Sequence, residues 1–334
     1  MSFRQIAGHR PLLDLLARAS ARGTLPPSLI FSGPEGVGKR TTALALAQAL
    51  NCERPLAWGT GTSSCGECAS CRRIARGVYA DVLVIEPGDT GNIKVDQVRD
   101  AIERAAYRPF EGRRRVVIVD RADALLPEAQ NALLKTLEEP PAASVFVLIT
   151  ARPDMLLPTV RSRCQRLRFG PVAAGDIAAV LMRDHGLSSS EAHAAAVQSD
   201  GSVGRALEAA DGSDEVVDAR DAAARLLQGA AASTDPRRRL DAAKVLAGGT
   251  SDRNELARRL RALSSLLRDL GVLLSRADDR ALANVDLKPQ LQSLLRSFDG
   301  ERALRAFSAV DRALAGLERN ASPKIVADWV ALQL

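Results

Sequence analysis

Gly33-Pro-Glu-Gly36-Val-Gly38-Lys39 is the stretch of this chain whose residue types and spacing point most directly to chemistry. Glycines spaced in this way let successive backbone N–H groups turn into one concavity. A neighbouring lysine adds a point charge, so the stretch suits a phosphate cradle. The pattern needs a strand before it and a helix after it, and residues 28–32 (SLIFS) and 41–50 supply both. Phosphate loops of this kind continue with Ser or Thr, whose hydroxyl ligates the Mg²⁺ that bridges the phosphates. Arg40 stands there instead, followed by Thr41. An arginine has no lone pair for a metal, so Mg²⁺ is expected to be poorly held unless Thr41 reaches in from an ill-suited position.

The second half of a nucleotide-hydrolysing site is an apolar strand ending in an acid, and Val116-Val-Ile-Val-Asp120 fits it. Hydrolysing relatives of this architecture usually place Glu next, to polarise the attacking water. Here the residue is Arg121. Both catalytic positions are thus cationic: ATP or ADP binding can survive this, whereas rapid hydrolysis is not expected.

Cys65-Gly-Glu-Cys68-Ala-Ser-Cys71, with Cys52 thirteen residues upstream, gathers four of the five cysteines. Four thiolates at short spacing suit a closed tetrahedral Zn²⁺ site with no ligand position left for water, hence a structural one. The fifth, Cys164, is expected to be a small buried residue.

The elements that must position these groups alternate in the first half. Apolar runs at 28–32, 81–85, 116–120 and 145–150 read as strands, and 41–50, 95–106 and 127–137 as helices, a pattern that builds a parallel sheet with helices on both faces. After Pro171 the branched runs stop and the chain turns to Ala, Leu and Arg at helical spacing. Gly170-Pro171 and the loop at 211–214 are expected boundaries. They divide the chain into residues 1–170 with the cysteine module at 52–71, a small helical unit at 171–212, and a helical bundle at 213–334. Leu256, Leu260, Leu263, Leu267, Leu270 and Leu274 draw one apolar helix stripe, read as bundle core.

With 334 residues and 46% of them hydrophobic, the chain has material for two or three cores. No run of about 18 apolar residues suggests a membrane span, and the N-terminus lacks an apolar signal region, so a cytoplasmic protein with no membrane contact is expected. A formal charge of +6 permits contact with nucleic acid without requiring it. His185 and His193 have no carboxylate or serine arrangement beside them and read as surface residues.

Ser162-Arg163-Cys164, after a Leu157-Pro-Thr-Val-Arg161 lead-in, resembles the SRC motif of bacterial clamp-loader subunits, AAA+ proteins that open a ring-shaped clamp and place it on primed DNA. Residues 131–141 (NALLKTLEEPP), the four-cysteine module and the C-terminal bundle are similar to theirs as well, so the resemblance covers essentially the whole chain. It implies a RecA-like AAA+ phosphate-loop domain with an inserted zinc module, a helical lid and an all-α collar. Within that family Ile93-Lys-Val-Asp-Gln-Val-Arg99, Pro109-Phe-Glu-Gly112, Arg40, Arg121 and the lid segment Gly201-Ser-Val-Gly204-Arg-Ala-Leu207 resemble the delta-prime subunits. The resemblance implies a stator that holds the AAA+ ring together with tau or gamma motor subunits and delta, acts on the sliding clamp and primer-template DNA through the complex, and donates Arg163 to a neighbour's ATP site. Thr150 falls where the family senses the γ-phosphate, and Ile6-Ala-Gly8-His9 where its adenine pocket begins. Gly33, Gly36, Gly38, Lys39, Arg40, Thr41, Asp120 and Thr150 then form a nucleotide site whose use is degraded. Arg161, Arg166 and Arg168 read as solvated or DNA-facing. A tau- or gamma-type motor and a zinc-stapled nucleic-acid-binding module are the alternatives.

Overall fold

The computed structural model describes residues 2–88, 91–210, 214–233, 235–247, 252–275, 282–318 and 321–334. Its strands are β1 (Ser28–Ser32), β2 (Leu56–Trp58), β3 (Gly61–Ser63), β4 (Val82–Ile85), β5 (Arg115–Val119), β6 (Ser144–Thr150) and β7 (Gln165–Arg168). Helices α1 (Arg10–Arg22), α2 (Lys39–Asn51), α3 (Ala69–Ala75), α4 (Val95–Ala106), α5 (Pro127–Glu138), α6 (Pro158–Arg161) and α7 (Ala174–His185) lie among and just after them. The chain divides into two compact units, residues 1–186 with 199–205, and residues 187–198 with 206–334.

In the first unit β1, β5 and β6 are buried along their whole lengths, as befits strands covered on both faces. Successive side chains alternate between those faces. Leu29 and Phe31 of β1, Val116 and Ile118 of β5, and Val145, Val147 and Ile149 of β6 pack with Leu13, Leu16 and Leu46 of α1 and α2. Ile30, Val117, Val119, Phe146 and Leu148 meet Val98 of α4 and Leu133 of α5 on the other face. The sheet is parallel, in the order β4-β5-β6-β1-β7. Its register sets Ser32 beside Thr150 and Val119 beside Leu148. The loop after β1, Asp120 after β5 and the end of β6 therefore share one edge of the sheet, the carboxyl edge where open α/β sheets bind ligands.

β5 runs one residue earlier at each end than the expected 116–120, and the Asp120 N–H still donates to the Ile85 carbonyl at 2.9 Å. β7 falls in a stretch read only as basic. Leu167 is the buried member of its four residues, so its polar sequence hides an edge strand.

The second unit is helical: α8 (Ser189–Gln198), α9 (Val203–Ala210, shared with the first unit), α10 (Asp214–Ala232), α11 (Pro236–Ala247), α12 (Arg253–Leu274), α13 (Lys288–Leu294), α14 (Gly300–Glu318) and α15 (Pro323–Gln333). The leucine stripe lies on α12: Leu256, Leu260, Leu263, Leu267 and Leu270 are buried against Leu226 and Leu227 of α10 and Ala306 and Val310 of α14, with Leu274 at the margin. Residues 211–213 of the expected boundary loop lie outside the described residues. No helix among the described residues is long and apolar enough to cross a membrane.

Candidate functional site

The loop between β1 and α2 has the glycine backbone that its sequence requires. Gly36 and Gly38 take φ of 72° and 99°, and Gly33 takes 150°. A Cβ on Gly33 would collide with the Phe169 carbonyl, and one on Gly36 with the Ser202 hydroxyl, whereas the space over Gly38 is open. Packing alone thus accounts for two of the glycines, and the third opens the N-terminus of α2. Lys39 is buried, and its Nζ donates to the carbonyls of Gly33 (2.7 Å) and Pro34 (2.6 Å). Burial lowers its pKa, against the opposing pull of Glu35, Asp120 and Asp123.

Arg40 opens outward from the first turn of α2. Its Nη1 lies 2.9 Å from Asp120 Oδ2 and also pairs with Glu86. The other oxygen of Asp120 accepts the Arg121 N–H at 3.0 Å, and Arg121 itself sits in the left-handed region at φ 53°. Thr41 is half-buried, and the hydroxyl of the next residue, Thr42, turns back onto the Gly38 carbonyl at 2.8 Å. Magnesium does not fit these donors. The hydroxyl position carries a guanidinium, and the carboxylate that would share the ion is already bonded to it.

Thr150, buried at the end of β6, donates to Asp123 Oδ1 at 2.9 Å, and Arg152 pairs with Asp123 Oδ2 at 2.9 Å. The Arg152 N–H returns to the Thr150 hydroxyl at 2.9 Å. Glu86, Asp123 and Arg152 were not singled out by sequence reading; a Thr-x-Arg pair following a strand and an acid three residues after Asp120 were the available signals. His9 Nε2 sits 2.9 Å from the Val37 carbonyl, tying the segment before α1 to the loop. On the other side, the Gly204 N–H donates to the Gly36 carbonyl at 3.0 Å.

The cysteine module grows from the end of α2. Cys52 is its C-cap, Cys68 caps α3, and Cys71 lies inside α3. The β2–β3 hairpin carries the chain out and back to Cys65. The four Sγ atoms lie within 4.8 Å of one another, with three of the cysteines buried. Burial opposes ionisation of Cys65, but the N–H groups of Glu67 and Cys68 and the thiols of Cys52 and Cys68 outweigh it and bring its pKa to about 7. Four converging soft sulfurs, one of them readily ionised, fit a thiophilic tetrahedral metal ion. Gln48 donates to the Cys71 carbonyl at 2.7 Å, and Arg113 to that of Cys52. These bonds hold the cluster to α2 and to the loop before β5.

Arg163 follows α6 and precedes β7. It is exposed, donating to the Thr159 carbonyl (3.1 Å) and to Glu138 Oε2 (3.2 Å). Arg161 pairs with Asp154 at 3.2 Å, Arg166 reaches Ser32 Oγ at 2.9 Å, and Arg168 is exposed. Cys164 is half-buried and not fully buried as expected, and the burial it has pushes its thiol up to about 12, which disfavours the reactive thiolate. His185 and His193 are exposed.

Residues 8–173 match the family described as "DNA polymerase III, delta subunit". The chain is 40% identical over 151 residues to the DNA polymerase III subunit delta' of Pseudomonas aeruginosa, covering 45% of each chain. To the subunit tau of Salmonella typhimurium it is 38% identical over 163 residues, 49% of this chain and 24% of that one. The chain thus spans less than half the length of these curated relatives. A solved gamma subunit-related protein of Thermotoga maritima aligns over 86% of this chain and 95% of its own, at 20% identity and a TM-score of 0.37. Residues 8–173, just under half of the chain, thus match a DNA polymerase III subunit family, and they carry the phosphate loop at the carboxyl edge of a parallel sheet.

Proposed function

We propose that this chain is a delta-prime subunit, a stator that does not itself turn over ATP but completes the ATP site of a neighbouring tau or gamma motor. The observation that carries the reading is the Arg40 guanidinium on Asp120, at the place where a hydrolysing site keeps its metal. Residues 1–170 form the AAA+ domain with a structural Zn²⁺ on Cys52, Cys65, Cys68 and Cys71. Residues 171–212 serve as its lid, and residues 213–334 as the collar that joins the subunit to tau or gamma and to delta. The assembly works in the cytoplasm and places the sliding clamp on primer-template DNA.

Arg163 is the group given to the neighbour. Its exposed pair with Glu138 is of a kind worth at most about 1 kcal/mol, so an incoming γ-phosphate can displace it. Charge gathering on that phosphate needs a cation, and one supplied in trans makes hydrolysis conditional on assembly. Arginine fingers are worth roughly 10³ to 10⁵ in rate, or about 4 to 7 kcal/mol. In a complex rebuilt with tau or gamma and delta, Arg163→Ala is expected to leave assembly intact and to lower ATP turnover. Unchanged turnover would contradict the role. The motor reading draws on the complete loop with Lys39 and on the similarity to tau. It requires magnesium-dependent turnover by this chain alone, abolished by Lys39→Ala.

A further inference from the structure

Among the described residues, the carboxylates at the strand ends beside the phosphate loop are matched with arginines. Asp120 and Glu86 share Arg40, and Asp123 holds Arg152. Glu35 stands exposed on the loop itself. A divalent cation entering here would meet a fixed guanidinium and would have to displace it from Asp120. An anionic ligand meets the reverse situation. The acids that would repel it are neutralised, and the buried ammonium of Lys39 lies beneath the loop with two of its three donors used among the described residues. The space over Gly38 is open at the N-terminus of α2.

Arg40 is also suited to meet such a ligand. Its side chain is 51% exposed. A guanidinium has five N–H donors in one plane, and among the described residues the contacts of Arg40 with both carboxylates run through Nη1. One planar cation held on Asp120 thus occupies the position between helix and strand that a metal would bridge, and it carries donors that match phosphate oxygens in pairs.

We propose that this phosphate loop takes a nucleoside di- or triphosphate without a divalent cation, with the Arg40 guanidinium standing in for the metal. The nucleotide is then a fixed ligand, since Arg121 stands where hydrolysing sites keep the acid that polarises water. The inference does not depend on Arg163: its failure leaves the stator reading standing, and the rebuilt-complex experiment above can fail without touching it.

The test is calorimetric titration of the full chain with ADP and with ATP, each in EDTA and in excess Mg²⁺. The expected result is binding in EDTA at least as tight as in Mg²⁺, within about twofold. Arg40→Ser, checked for folding by its thermal melt, is expected to weaken binding in EDTA by about tenfold or more, the scale of one lost charge-assisted contact, and to recover part of it on adding Mg²⁺. Binding that requires Mg²⁺, or no binding of either nucleotide in EDTA, would overturn the proposal. Unchanged affinity of Arg40→Ser in EDTA would overturn the role of Arg40.

Discussion

Single side chains decide most of what this site can do, and they act through partners distant in sequence. Arg40 is legible in the sequence as a missing hydroxyl, but its bond to Glu86 is not, because nothing local announces that the end of β4 lies beside the first turn of α2. Asp81 is a similar case. It reads as the first residue of a strand, yet it is fully buried and accepts the N–H groups of Phe110 (2.7 Å), Glu111 (2.9 Å) and Gly112 (2.7 Å) together with the Arg115 guanidinium (2.7 Å). Burial alone would raise its pKa; the four donors outweigh that and depress it. A depressed carboxylate contributes stability at pH values above its unfolded pKa of about 3.9, and that stability is lost as pH falls through the lower folded value. Asp81→Ala strands Arg115 in the interior, and it is expected to cost about 3 to 5 kcal/mol. Thermal melts between neutral and strongly acid pH check both statements: the variant should melt lower at neutral pH, and its deficit should shrink in acid.

Elements were legible in proportion to how fully they are buried. β1, β5 and β6 announce themselves because both faces are covered and every residue except Arg115 is apolar or small, and α4 occupies the expected 95–106. β7 was hidden by its position at the sheet edge, where three of four residues face solvent. The β2–β3 hairpin was hidden because its strands are short and its contacts come from distant sequence, with Gly61 against the backbone of Ala17 in α1 and Trp58 under the Arg10 guanidinium at 4.0 Å. The cysteine spacing announced the module, whereas the bonds from Gln48 and Arg113 that seat it needed the fold. A module with so little core of its own would draw on the zinc proposed for it, since a metal in such sites supplies on the order of 10 kcal/mol. Elemental analysis of protein purified without chelator is expected to give about one zinc per chain. Stripping the metal with a strong chelator, or Cys71→Ser, should lower the melting temperature and expose residues 52–75 to hydrogen exchange. A metal-free protein with an unchanged melt would remove zinc from the account.

At the scale of the molecule, the sheet unit carries the phosphate loop, the cysteine cluster and Arg163, and the α10–α15 unit carries a continuous leucine and alanine core. The α12 stripe is absorbed by that core, which is what the sequence spacing led one to expect. The function is less legible than the fold, since a delta-prime subunit and a motor share the same sheet, loop and lid and differ in a few charges. In the proposed reading Arg40 and Arg121 are what favour the non-hydrolysing side, Lys39 is compatible with either, and Arg163 acts only against a second subunit. ATP hydrolysis in Mg²⁺ by this chain alone, measured beside its mixture with a tau or gamma motor, separates the two most directly. No turnover alone and faster turnover by the motor on mixing are expected. Magnesium-dependent turnover by the lone chain, lost in Lys39→Ala, would contradict the stator and make this subunit a motor.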